Sequence, residues 1–246
     1  TRFGPGAIRH ESFGLESYSP YQDRDLLDAA VLDCGDLELC LGDSAKALAQ
    51  IEERAALILD GGKRPFLLGG EHLVTLGAFR AVQARCPEVH ILHFDAHADL
   101  RQDYLGAPLS HACVLRRCWE LVGDGRIFQF GIRSGDREEF RWGAGHVATH
   151  RFDLEGLEEV LARLADKPVY FTLDLDVLDP SVFPGTGTPE PGGVSFDTLR
   201  QAVTLVCGRL NIVGCDVNEL SPAYDPTGAS TAVAGKIVRE MLLALD

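Results

Sequence analysis

The sequence predicts an α/β fold in three layers (αβα), a mostly parallel central sheet covered on both faces by helices. Three observations carry that expectation. Short runs of apolar, β-branched and aromatic residues alternate with longer amphipathic stretches along the whole chain. Several of these runs break off into acids, histidines or glycines, as strands do when their carboxyl ends carry a site. The 246 residues, 46% of them hydrophobic, suffice for one large core, so residues 1–246 are expected to form a single domain. No internal repeat, low-complexity tract or long linker divides them.

Taken in order, the first 24 residues read as loop, with a short helical stretch near Ala7–Ser12. Ala30–Cys34 is a strand candidate closed by Gly35-Asp36. From Asp43 to Leu59 the residues Leu48, Ile51, Ala55 and Ile58 recur at helical spacing, and Gly61-Gly62 stops the helix. Pro65–Leu68 is a buried strand that turns through Gly69-Gly70-Glu71-His72 into a helix ending near Ala84. Val89–Phe94 is the central strand, and a loop over 100–110 leads to a helix from His111 to Leu121. Strands follow at Arg126–Ile132, weakly at Val147–Phe152, then at Pro168–Leu173 and Leu210–Val217. Helices are read at Asp136–Trp142, Glu155–Leu164, after the capping Ser195, and at Ala229–Leu245.

Composition excludes several function classes. A formal net charge of −14 argues against nucleic acid, which needs a basic surface. The longest apolar runs are strand-length, so no membrane span is expected. No signal peptide is visible, and the chain opens at Thr1 without an initiator Met. Seven cysteines, an odd number without any C-x-x-C, are neither a disulfide framework nor a zinc knuckle, and they point to a reducing cytoplasm.

The chemistry concentrates in a few stretches. The central strand ends in Asp95-Ala96-His97-Ala98-Asp99. Extended backbone would turn Asp95, His97 and Asp99 to one side, with the small alanines turned away. Carboxylates with an imidazole at that spacing suit a divalent cation. A second apolar run ends in Asp174-Leu175-Asp176, and two such strand ends suggest a site between neighbouring strands. His72 lies at another strand-to-helix turn, Glu219 follows the last strand, and His111 opens a helix as a candidate proton carrier. His93, deeper in its strand, reads as a core or supporting residue and not a ligand.

Gly-Gly-Glu-His at 69–72, Asp-Ala-His-Ala-Asp at 95–99, Ser-His at 110–111, Asp-Leu-Asp-Val-Leu-Asp-Pro at 174–180, Gly-Thr-Gly-Thr-Pro at 185–189 and Asp-Val-Asn-Glu-Leu-Ser-Pro at 216–222 occur in this order. Together they resemble the ureohydrolases, the arginase/agmatinase family, and within it the bacterial agmatinases. The resemblance runs the length of the chain and includes Thr1–Arg9. It implies the arginase/deacetylase-like form of the three-layer fold, and a further N-terminal segment ahead of Arg2-Phe3-Gly4-Pro5 that this sequence lacks. It implies two Mn²⁺ per chain, one held by His72, Asp95, Asp99 and Asp174, the other by Asp95, His97, Asp174 and Asp176. It implies Glu219 and Thr188 at the substrate guanidinium, Asp99 in proton movement and His111 as the proton shuttle to the leaving amine. The implied reaction is agmatine to putrescine plus urea, in polyamine biosynthesis, by a homotrimer or hexamer. Another ureohydrolase (a guanidinobutyrase, guanidinopropionase or arginase-like enzyme) is the nearest alternative. A phosphoryl-transfer enzyme lacks its Gly-rich, Lys-bearing loop here, and a non-catalytic relative would have lost one of the residues just named.

Overall fold

A computed structural model describes residues 1–246. Its centre is a six-stranded, fully parallel sheet in the order β3-β8-β7-β4-β5-β6. The strands are β3 (Phe66–Leu68), β4 (His90–Phe94), β5 (Ile127–Ile132), β6 (Ala148–Arg151), β7 (Pro168–Asp174) and β8 (Asn211–Asn218). Parallel neighbours need crossovers, and helices supply them. On one face lie α2 (Ser44–Asp60), α3 (Val74–Arg85) and α4 (Val114–Val122). On the other lie α6 (Leu157–Leu164), α7 (Phe196–Arg209) and α8 (Ala229–Leu245), with α1 (Gly4–Glu11) against α8. The short α5 (Arg137–Gly143) sends Phe140 and Trp142 into the first layer. The expected αβα layering is therefore present.

The period-two pattern of the strands divides the core. In β7, Val169, Phe171 and Leu173 face the α6–α8 side, while Tyr170 faces the α2–α4 side. In β4, Leu92 and Phe94 take the first side and Ile91 the second. Phe94 meets Phe130 and Phe171 edge-on at 5.7 and 5.1 Å, a favoured aromatic arrangement. One register row is polar instead. Thr149, Gln129, His93, Thr172 and Asp216 stand side by side across β6, β5, β4, β7 and β8.

Chain order fixes where a site can form. From β4 the chain proceeds outward through β5 and β6, then returns to lay β7 and β8 on the opposite side of β4. The β4/β7 boundary is thus a topological switch point, where connections leave in opposite directions and open a crevice at the strands' carboxyl ends.

Two N-terminal expectations are corrected. Ala30–Cys34 is not a strand: residues 29–42 have no regular structure, and Leu32 is 83% exposed. Asp33 and Asp36 instead bind Arg9 at 2.7 and 2.9 Å, so side-chain ion pairs rather than a ladder hold this segment. Residues 1–24 are more ordered than loop, with α1 and a hairpin of β1 (Tyr18–Ser19) and β2 (Arg24–Asp25). The expected helix at His111 starts as a 3₁₀ turn over His111–Cys113 before α4. Four of the seven cysteines are buried, while Cys34 and Cys40 are exposed, and all are free.

The start of α8 is tied to the loop at 185 by one buried acid. Asp225 accepts hydrogen bonds from Thr227 N and Oγ1 and from Ser230 N and Oγ, while Ser230 Oγ accepts from Gly185 N at 2.8 Å. The hydrogen bonds from Thr227 and Ser230 hold its carboxyl at about 2. An acid depressed on folding contributes stability above its unfolded pKa, roughly 3.9, and loses it as pH falls towards the folded value. Asp225→Ala is expected to cost about 3 kcal/mol in urea unfolding at pH 7, with the gap from the parent narrowing between pH 4 and 2. A gap that stays constant with pH would refute this.

Candidate functional site

The switch-point crevice collects acids and imidazoles from four strand ends. Strand β4 stops at Phe94, and β7 at Asp174. Asp174 still has extended backbone and His97 bridges to Ser134 in parallel fashion, so part of the expected alternation persists past the regular strands. Turns complete the convergence. Asp95 Oδ1 accepts from His97 N at 2.6 Å, and Asp174 Oδ1 accepts from Asp176 N at 2.9 Å, while residues 175–177 coil into a 3₁₀ turn. A carboxylate capping the amide two residues on is the Asx-turn solution to leaving a strand. The backbone turns left-handed at Asp99, φ 54°, and again at Glu219, φ 68°. Gly131 (φ 85°) lets β5 pass the site, because a Cβ there would stand 2.9 Å from the Asp95 carbonyl oxygen.

The resulting geometry has two halves. In one, His72 Nδ1 lies 3.1 Å from Asp95, 3.1 Å from Asp99 and 3.4 Å from Asp174. In the other, His97 Nδ1 lies 2.9 Å from Asp176 and 3.5 Å from Asp95. Asp95 thus faces both imidazoles. Asp95, Asp99, Asp174, Asp176 and His72 are all at most 5% exposed. Glu219 joins from the end of β8, its Oε1 accepting from His72 N at 2.7 Å.

Electrostatics is the main problem of this crevice. Four buried aspartates and a half-buried glutamate converge with no Lys or Arg side chain paired to any of them. Burial and the charges of Asp176 and Asp95 push the Asp174 carboxyl well above the usual range, and burial with Asp95 pushes Asp176 to about 6. Burial holds Glu219 at about 7. Burial lowers the His97 imidazole, but Asp176 and Asp95 outweigh it and push it up to about 12; Asp174, Asp95 and Asp99 raise His72 in the same way. Such a cluster is costly unless cations neutralise it.

The donor set supplies the test of fit. His72, His93, Asp95 and Asp99 form one group of candidate metal-binding atoms, and Asp95, His97 and Asp176 another, each within 4.8 Å. His72 Nδ1 and Asp176 Oδ2 are buried without a hydrogen-bond partner, although each faces the cluster. Orphaned buried polar atoms beside crowded carboxylates are what a pair of divalent cations would satisfy. His93 belongs to the first group by distance, but it is occupied otherwise. Gln129 Nε2 points at His93 Nδ1 at 3.1 Å, an orientation fixed by its bond to the Ala98 carbonyl and by the Thr149 hydroxyl on Oε1. His93 therefore carries its proton on Nε2 and donates it to Asp95 Oδ2 at 2.8 Å.

Of the other candidates that the sequence offers, His111 stands at the rim, its side chain 40% exposed. Glu71, which the sequence does not single out, accepts from both its N and Nδ1 at 2.7 and 3.1 Å. Its hydrogen bond also raises the His111 pKa. The one signal in the sequence is an acid beside His72. Tyr104 packs edge-on to the His111 ring at 5.4 Å. Thr188 is not drawn into the cluster; it is exposed on its loop. Glu190, two residues on, approaches His97 Nε2 at 3.8 Å and accepts from Ser134 Oγ.

The chain resembles known proteins over nearly its whole length. The family model described as the arginase family matches residues 1–244. An agmatinase of Bacillus anthracis is 47% identical over 247 residues, covering 99% of this chain and 85% of the relative. A guanidinobutyrase of Pseudomonas aeruginosa is 35% identical, covering 100% and 81%. A crystal structure from Clostridium difficile superposes with a TM-score of 0.96 at 47% identity, over 99% of this chain and 89% of that one.

Proposed function

Because the chain belongs to the arginase family, hydrolases that cut C–N bonds, we propose that it converts agmatine and water to putrescine and urea at a binuclear manganese centre. The observation that carries this is the buried cluster of four aspartates and two inward-facing histidines with no basic partner. His72, Asp95, Asp99 and Asp174 would hold one ion, and Asp95, His97, Asp174 and Asp176 the other, with Asp95 and Asp174 shared. Carboxylates with a minority of imidazoles suit Mn²⁺, and four carboxylate charges balance two divalent ions. When bound, such a pair lowers the pKa of water far enough to supply a nucleophile at neutral pH.

The remaining work falls to the chain. Glu219, held by His72 N–H, offers its carboxylate to the planar guanidinium, and Thr188, by family resemblance, lies near that group. Asp99 accepts the proton of the attacking water. As the C–N bond to the alkyl amine breaks, His111 gives the leaving nitrogen a proton from Nε2, since Glu71 engages Nδ1.

The rim supports a cationic tail over an anionic one. Arg101 is the only cation between Leu100 and Ser110, and it is turned away, 3.2 Å from Glu139 and over the Tyr104 ring. Asp103 and Glu71 remain there as exposed acids. A substrate ending in ammonium meets favourable charge, whereas the carboxylate of 4-guanidinobutyrate meets none. With Mn²⁺-loaded protein, kcat/KM for agmatine is expected to exceed that for 4-guanidinobutyrate, 3-guanidinopropionate or arginine by at least about 100-fold. Faster urea release from any of the other three would overturn the substrate assignment and leave the metal chemistry standing. The same reading takes residues 1–246 as one ureohydrolase domain of a cytoplasmic homo-oligomer in polyamine synthesis. No helix of the chain is long and apolar enough to cross a membrane.

A further inference from the structure

Beneath the cluster, on the α2–α4 side of the sheet, a hydrogen-bonded group remains that the reaction does not use. Asp216 in β8 is fully buried. Its Oδ2 accepts from the Tyr170 hydroxyl at 2.6 Å. Its Oδ1 lies 2.6 Å from both Thr172 Oγ1 and Asn218 Nδ2. Thr172, its register neighbour in β7, also lies 2.8 Å from His72 Nε2. Three elements therefore meet in one line, from Asp216 through the Thr172 hydroxyl to the imidazole whose other nitrogen faces the cluster.

The direction of each bond follows from counting protons. The Asn218 amide is turned so that Nδ2 meets Asp216; turned the other way, its carbonyl would face a carboxylate oxygen at 2.6 Å. Its Oδ1 instead lies where any Cβ on Gly69 would stand 1.9 Å away, so position 69 admits only glycine while this amide stays in place. Asp216 Oδ1 thus receives an amide N–H and, with the Asp216 carboxyl ionised, is a pure acceptor. The single Thr172 proton must then go to Asp216 Oδ1. Thr172 has none left for His72, so its oxygen accepts and His72 Nε2 must donate.

We infer that Asp216, acting through Thr172, is a positioning residue that fixes the His72 imidazole with its proton on Nε2 and reserves Nδ1 for a metal ion. The inference rests on the metal-centre reading above. It assigns a purpose to two polar residues inside otherwise apolar strands, and explains why His72 Nδ1 is buried without a hydrogen-bond partner. Gln129 fixes the tautomer of His93 too, but by donating to Nδ1 and so occupying it, and both devices lie in one register row across the sheet. Outer partners of this kind orient metal-binding histidines and set their basicity.

The test uses the full chain. In ¹⁵N-histidine-labelled protein loaded with diamagnetic Zn²⁺, long-range ¹H–¹⁵N correlation is expected to show His72 protonated at Nε2 and metal-bound at Nδ1. The opposite tautomer overturns the inference, and this readout needs no variant. Chelator competition with Mn²⁺ is expected to show Thr172→Val losing about 10–100-fold in affinity for one of the two ions while the other is retained. Thr172→Ser, which keeps the hydroxyl, is expected to bind within about threefold of the parent. Equal affinity in parent and Thr172→Val overturns the relay alone. A parent chain that takes up no pair of ions overturns the metal reading and the inference with it.

Discussion

Asp174→Asn is expected to lower urea release at least about 10³-fold while the metal-free protein becomes more stable than the parent. Asp174 faces the first half of the cluster through Oδ2 and caps the turn to Asp176 through Oδ1. An asparagine can keep the cap with its carbonyl oxygen and loses only the charge. In the proposed centre that charge is shared between two ions, so both are weakened and the catalytic water is lost. Without metal the same charge is a burden, buried beside Asp95 and Asp176. Removing it is expected to raise unfolding stability in a chelator by on the order of 2 kcal/mol. Urea assays and denaturant melts on one preparation check both signs. Undiminished turnover would remove Asp174 from the centre, and a destabilised metal-free variant would mean its charge is compensated.

Adding Mn²⁺ to chelator-stripped protein is expected to raise its melting temperature by about 10–20 °C. The unfolded chain cannot present the six residues together, because they come from positions 72, 95–99 and 174–176. Ions therefore bind almost only the folded state. At 100 times the dissociation constant each site contributes about 2.7 kcal/mol, roughly 5 for the pair, and at this chain length each kcal/mol moves the midpoint about 2–4 °C. Ca²⁺ at the same concentration is expected to do less, since imidazole is a poor ligand for it. A shift of under about 2 °C with saturating Mn²⁺ would mean that the acidic cluster is neutralised by some other means.

The layered fold is readable in the sequence because every core strand and crossover helix carries its own period. β7 alternates between two helical layers, and α2 presents Leu48, Ile51 and Ala55 along one face. Ala30–Cys34 misleads because a short apolar run says nothing about a ladder partner, and here the Arg9 ion pairs decide. The cluster residues are legible as polar endings of apolar runs and by family resemblance. Their geometry is legible only in part, since Asx turns and left-handed backbone add to the alternation that the residue spacing suggests. Glu71 is masked by its more conspicuous neighbour. Gln129, Thr172 and Asp216 leave a readable trace, each a polar residue flanked by apolar ones within a buried strand. What period alone cannot reveal is that register sets them in one row.

The left-handed backbone at Asp99 and Glu219 has an evolutionary consequence. Each is a non-glycine residue held at positive φ, a state that costs on the order of 1–2 kcal/mol relative to ordinary backbone. Glycine or asparagine at either place would relax the chain and delete an acid from a crowded crevice, so selection for stability and selection for turnover pull in opposite directions at these two codons. A descendant released from catalytic duty would drift first here, gaining robustness with the mutations that silence it. At both positions the acid that the proposed chemistry uses is therefore set against backbone ease.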